Sequence, residues 1–200
     1  MTRNPRTDAE NNRRHLVSVA RAAFADEGLE LPMREIARRA GLGVATLYRH
    51  FPTRTDLVTA ALAEHVAGCR ADMRAALAEP DAWRALSGTI NRFAQRQVRD
   101  RGLNEALFGS HEAAAAFAED RRAHARGLEQ LVDRARRAGA VRAGLSVEDV
   151  RVGLTAIVTF RALRPEKAAA STQRLVNLLL AGLAAERDPA GDERPSPRIP

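Results

Sequence analysis

Apolar positions along this 200-residue chain recur every three to four residues. Leu16, Val17, Ala20, Ala23 and Phe24 form one such stripe, and Gly28 closes it. At 3.6 residues per turn, that spacing puts the five side chains on one helix face. The same reading along the chain predicts helices over 9–27, 32–40, 44–50, 54–78, 82–101, 103–108, 110–138, 147–163 and 172–186. No segment alternates apolar and polar residues over a strand's length with β-branched enrichment, so the fold class is all-α. Punctuation supports the divisions. Pro32 suits a first turn, where a missing N–H costs nothing. Thr53 and Asp81 can cap helices, and Ser146 with Asp149 resembles a capping box. Gly28, Gly102 and Gly139 read as helix stops. Residues 1–8 are expected to be a disordered basic arm. Residues 187–200, with Pro189, Pro195, Pro197 and Pro200, are expected to be a disordered tail.

Residues 33–54, MREIARRAGLGVATLYRHFPTR, carry the most chemistry. Met33, Ile36, Ala37 and Ala40 give a first short helix its apolar face. Gly41 follows where a left-handed stop is easiest for a residue without Cβ. Leu42 can plug the space between helices, and Gly43 allows a second turn. In 44–50, Leu47 faces inward with Phe51, which leaves Val44, Ala45, Thr46, Tyr48, Arg49 and His50 outward or partly so. Pro52 closes the unit. Such a helix-turn-helix lays its second helix in the major groove of double-stranded DNA. Seven residues span about 10 Å at about 1.5 Å each, enough for about four base pairs per half-site. Thr46, Tyr48 and His50 can bond phosphate oxygens and so position the helix. Arg34 and Arg49 are the candidates for a guanine contact. Arg3 and Arg6 can reach the backbone or the minor groove. Arg38 and Arg39 read as a solvated face.

The run IARRAGLGVATLYRHFPTR resembles the DNA-binding signature of the tetracycline-repressor-type (TetR) family. The resemblance covers roughly 13–62, with its paired glycines, Thr46-Leu47-Tyr48, His50-Phe51 and a basic residue at Arg54. It implies nine helices. Three form an N-terminal helix-turn-helix DNA-binding domain (1–55), and six form a C-terminal ligand-binding and dimerisation domain (56–186). It also implies that Val44 and Ala45 lie nearest the base edges, where they can touch thymine methyls. Arg54 takes the place of a phosphate-binding lysine. The chain departs from the pattern at Pro32 and Met33, where a phosphate-binding threonine often stands.

Charge changes this picture little. The net charge is +7, and residues 1–55 hold ten arginines against six acidic residues. That concentration suits a polyanion. Lys167 is the only lysine, however, and an Ala- and Arg-rich chain is what a GC-rich genome produces. The charge acquires meaning only through the motif. No window of eighteen apolar residues exists, so no transmembrane span and no membrane partner are expected. The polar start lacks a signal-peptide core, so a cytoplasmic protein is expected. Cys69 is the only cysteine, which excludes an intrachain disulfide and a four-cysteine zinc site. No nucleophile–base pair, glycine-rich phosphate loop or HExxH motif is present, so neither enzyme activity nor a cofactor or metal site is expected.

A small-molecule pocket is expected among the helices of 54–163. Its candidates are Met73, Trp83, Phe93, Phe108, Phe117 and Phe160, with His65, His111, His124, Arg121 and Arg161 as polar groups. Aromatic residues make up 4% of the chain, so the pocket should be mostly aliphatic, and the nearby arginines leave an anionic ligand open. Leu154, Ile157 and Val158, with Leu175, Leu178, Leu179 and Leu183, form the expected homodimer surface. Two such helix pairs would make a four-helix bundle. A two-fold dimer predicts a near-palindromic operator. The combined expectation is a homodimeric, ligand-responsive transcriptional regulator, a repressor released by an unknown small-molecule effector. The alternative is an effector-independent, architectural DNA-binding protein of the same fold. A cavity in the C-terminal core favours the first, and a solid core the second.

Overall fold

The computed structural model describes residues 5–109, 112–159 and 165–185. Among them are nine α-helices: α1 (Pro5–Glu27), α2 (Met33–Arg39), α3 (Val44–His50), α4 (Arg54–Ala78), α5 (Ala82–Arg99), α6 (Arg101–Phe108), α7 (Ala118–Arg137), α8 (Val147–Thr159) and α9 (Pro165–Leu183). A 3-10 segment, Glu112–Phe117, precedes α7. The all-α fold class holds. One antiparallel bridge, Val141 to Ala184, ties the loop after α7 to the end of α9.

Several helix boundaries differ from the sequence reading, four of them for a clear local reason. α1 begins at Pro5, so the expected arm is helical from that residue; proline is at home in a first turn. α9 likewise starts at Pro165, not Thr172. α5 ends at Asp100, not at Gly102. Asp100 has φ −140°, its N–H donates to Arg96 O, and its carboxylate accepts Leu103 N–H at 2.9 Å to start α6. The helix expected over 110–138 is split in two. The Arg121 guanidinium donates to Ala114 O at 2.9 Å, holding the preceding segment as 3-10 rather than α. The tail expected at 187–200 lies outside the described residues.

Two apolar cores organise the chain. The first gathers α1, α2 and α3 around Leu16, Phe24, Ile36, Leu47 and Phe51. It continues along α4 through Leu57, Leu62, Val66 and Cys69, and recruits Leu103, Ala106 and Leu107 of α6 with Ala114 and Phe117. The second joins the end of α4 to α5, α7, α8 and α9 around Leu86, Ile90, Leu131, Leu145 and Ile157. Packing therefore crosses the boundary expected at 55/56, because α4 and α6 serve the core in front of it.

Candidate DNA-reading face and effector cavity

The turn between α2 and α3 follows from local chemistry. Gly41 has φ +65°, a conformation that side chains with a Cβ rarely adopt. There the Gly41 and Leu42 N–H groups donate to Arg38 O (3.1 Å) and Ala37 O (3.0 Å), satisfying carbonyls left over at the end of α2. Gly43 O then accepts Thr46 N–H at 2.9 Å and opens α3. Leu47 is fully buried and fixes the roll of α3. That roll exposes Val44, Ala45, Tyr48 and Arg49 and leaves Thr46 and His50 half-buried. Tyr48, 46% exposed, is not core. Val44, Ala45, Tyr48 and Arg49 therefore share one exposed face, with Thr46 and His50 at its margin.

The flanking cations divide by what they already hold. Arg34 is exposed and has no acidic partner among the described residues. Arg49 donates to Thr46 Oγ1 at 3.0 Å, a bond along its own helix. Arg38 and Arg39 are not merely solvated. Arg38 forks onto both Glu35 oxygens at 2.7 and 2.8 Å. Arg39 spans Glu35 at 2.8 Å and Glu27 at 2.5 Å, tying α2 to α1. These bonds, Arg38's first, hold the Glu35 carboxyl down to about 2. Arg54 donates from one nitrogen to Leu29 O and to Leu31 O, the latter at 2.6 Å. In this structure it staples the α1–α2 loop instead of projecting freely to a phosphate. Thr53 and Asp56 close a capping box beneath it, with Thr53 N–H donating to Asp56 at 2.9 Å. His15 Nε2 lies 3.1 Å from Ala40 O and, since a carbonyl only accepts, donates to it.

A cavity of about 370 Å³ lies in the C-terminal region. Cys69, Asp72 and Met73 of α4 line it with Thr89, Ile90, Arg92, Phe93 and Arg96 of α5. α6 adds Leu103, Asn104, Leu107 and Phe108; α7 adds Arg121, His124, Ala125 and Leu128; α8 adds Arg151, Leu154, Thr155 and Val158. Phe93 and Phe108 meet edge-to-face at 4.9 Å. Burial pushes the Cys69 thiol up, so it stays protonated. Burial pushes His124 down, and its Nδ1 lies 3.1 Å from Asp120 O, which makes Nε2 the acceptor of a neutral ring.

Of the expected pocket residues, Met73, Phe93, Phe108, Arg121 and His124 line this cavity. Trp83 does not; it is half-buried against the second core. Phe117 is buried in the first core, because the 3-10 segment packs on α4 and α6. His65 instead meets Asp100 at 2.7 Å, joining α4 to the cap of α6. His111, Phe160 and Arg161 lie outside the described residues. Thr89, Arg92, Arg96, Asn104, Arg151 and Thr155 escaped the sequence reading. Their signal was spacing: 89, 92, 93 and 96 share a face of α5, but arginines there look solvated until α8 covers them.

The expected dimer residues separate into three groups. Leu154 and Val158 line the cavity. Ile157 and Leu183 are buried in the chain's own core. Leu178, 73% exposed, faces away from the protomer, with Leu175 and Leu179 half-buried beside it. Val152 of α8 is also exposed. Among the described residues, no three His, Cys, Asp or Glu side chains cluster as a metal site would need. No helix there is long and apolar enough to cross a membrane.

Comparison with known proteins fits this geometry. Residues 16–61 match the family described as bacterial regulatory proteins, tetR family. Residues 81–185 match the C-terminal domain of SbtR-like transcriptional regulators. An HTH-type transcriptional regulator of Staphylococcus aureus is 43% identical over 53 residues, 26% of this chain and 29% of that protein. The chain is also similar to the solved structure of a TetR regulatory protein from Mycobacterium vanbaalenii. That match has 33% identity and a TM-score of 0.55, and covers 91% of this chain and 100% of the other. A TetR regulator of Streptomyces coelicolor is 30% identical with a TM-score of 0.58, over 88% of this chain and 99% of its own.

Proposed function

The chain belongs to the TetR family of bacterial regulatory proteins, as a DNA-binding transcriptional regulator rather than an enzyme, and from that premise we propose that it is a homodimeric repressor released from its operator by a small-molecule effector. It acts on DNA in the cytoplasm. Residues 1–55 read the operator and 56–186 sense the effector and dimerise, with α4 common to both. α3 enters the major groove. Val44 and Ala45 meet the base edges; Thr46, Tyr48 and His50 hold phosphates; Arg34 and Arg49 reach guanines. Arg54 acts by holding the loop before α2, and contacts phosphate only if that staple opens.

The observation that carries the effector reading is shared packing. Cys69, Leu103 and Leu107 belong both to the first core and to the cavity wall. An occupant that displaces them also displaces α6, which packs on α1. Glu105 of α6 further accepts Leu29 N–H at 2.6 Å, just before α2. An effector that prefers the displaced arrangement shifts the population away from the DNA-bound one. An effector-independent architectural protein was expected to have a solid core, so the cavity favours regulation. For the dimer, Leu178 with the adjoining faces of α8 and α9 offers the apolar surface. Two copies would place their α3 helices one turn of DNA apart, about 34 Å, or a multiple of it.

The test is selection of bound duplexes from a random pool at one fixed salt concentration, with wild type and Tyr48→Ala. The proposal expects a palindromic site from the wild type and loss of enrichment with the variant. Salt-sensitive binding without sequence enrichment would overturn it.

A further inference from the structure

We propose that the effector is an amphipathic monoanion, an apolar body of about 12–20 non-hydrogen atoms bearing one carboxylate that Arg121 binds side-on. The inference rests on the reading of the cavity as the effector site, and names the chemistry that fits it.

Among the described residues, four arginines and one carboxylate, Asp72, line the cavity. Arg96 is paired with that Asp72. Arg151 is paired with Glu129 at 2.8 Å and Glu148 at 3.2 Å. Arg92 lies along its own helix, donating to the Thr89 hydroxyl at 3.3 Å, and among the described residues no carboxylate pairs with it. Arg121 donates from Nη1 to two carbonyls, Ala106 O at 3.0 Å and Ala114 O at 2.9 Å. Among the described residues no carboxylate pairs with it. Carbonyls orient a guanidinium without cancelling its charge. A guanidinium has five N–H groups, and Nη1 uses two. The Nε–H and the Nη2 pair remain, the edge that matches a carboxylate with two parallel bonds.

Other ligand classes fit worse. A cation finds its one potential partner, Asp72, already held by Arg96. A neutral apolar molecule would exclude water from Arg121 and supply no counter-charge, which is costly for a desolvated cation. His124 is neutral and offers only an acceptor, so it adds nothing against an anion. Most of the remaining wall is apolar, with Met73, Ile90, Phe93, Leu107, Phe108 and Leu154, and Thr89, Asn104 and Thr155 are its neutral polar groups. Arg121 is also well placed to report occupancy. The carbonyls it holds belong to α6 and to the 3-10 segment, and both elements pack on the DNA-reading core.

Calorimetry on the intact protein with decanoate, 1-decanol and decylamine, and with 2-naphthoate and 2-naphthol as a rigid pair, tests this. Anisotropy of a labelled operator measures release in parallel. The expected result is that an acid binds about tenfold or more tightly than its neutral mate, as a charge-assisted bond implies, and that the amine binds worst. Arg121→Gln should retain 1-decanol or 2-naphthol binding, showing an intact cavity, and lose the preference for acid. The wild-type ranking stands alone if that variant does not fold. Equal binding of acid and neutral mate, or no binding by either acid, would overturn the inference. Release by the neutral compounds as well as by the acids would overturn it while leaving the effector reading intact. Tight acid binding that leaves the operator occupied would support the anion site and overturn effector release.

Discussion

Gly102→Ala and Gly68→Ala are the same chemical change in two helices, and the structure predicts opposite signs. Replacing a helical glycine by alanine gains up to about 1 kcal/mol in propensity and unfolded-state entropy, most in a helix interior such as that around Gly68 and less in a first turn such as that of Gly102. Around Gly68 in α4 an added Cβ meets nothing within 4 Å, so Gly68→Ala should stabilise by about 0.5–1 kcal/mol. At Gly102 the added Cβ would lie 2.7 Å from Phe24 Cβ and 3.0 Å from Phe24 O. Unstrained carbon contacts need about 3.5–4.0 Å. Neither Phe24 atom is the tip of a flexible side chain, so α6 itself must back away from α1 by roughly an ångström, and the 2.6 Å Glu105–Leu29 bond must stretch with it. Overpacking of this kind costs about 1–3 kcal/mol. Set against the propensity gain, Gly102→Ala should destabilise by about 1 kcal/mol or more. Urea unfolding at one fixed protein concentration reads both effects as midpoint shifts at unchanged slope. Stabilisation by Gly102→Ala, alongside Gly68→Ala, would refute the close α1–α6 contact and the coupling route built on it.

Leu178→Glu should convert the proposed dimer to a monomer in sedimentation velocity and weaken operator binding, while the monomer keeps its helical circular dichroism; a variant that still sediments as a dimer would place the interface elsewhere. Glu35→Gln should flatten the acid limb of the stability curve. The folded carboxyl sits near 2, below its ordinary 4.5, so its contribution is present above 4.5 and is lost as pH falls toward 2. Denaturant midpoints of the two proteins should converge over that window, and parallel curves would show that the Arg38 and Arg39 bonds contribute nothing.

The DNA-reading unit was legible because its determinants are local. Gly41, Leu47 and Pro52 act within a few residues of themselves, and α3 occupies the expected 44–50. The caps at Thr53, Asp81 and Ser146 also act over three residues, and the structure shows all three. Gly102 was misread for the same reason. Seen locally, a glycine after a long helix is a stop; its actual requirement is the absence of a Cβ beside Phe24, which is far away in sequence.

What the sequence by itself determined is the helical periodicity, the turn between α2 and α3, and which residues α3 presents wholly or partly outward. Each follows from backbone sterics, hydrogen-bond satisfaction and a 3.6-residue repeat. Only the tertiary structure decided which apolar faces meet. It put Phe117 in the front core, turned Leu154 and Val158 to the cavity and Leu178 to the outside, and aimed Arg121 at carbonyls 15 and 7 residues away. An amphipathic helix specifies that one face must be covered, but hydrophobic burial is non-directional, so it does not specify by what.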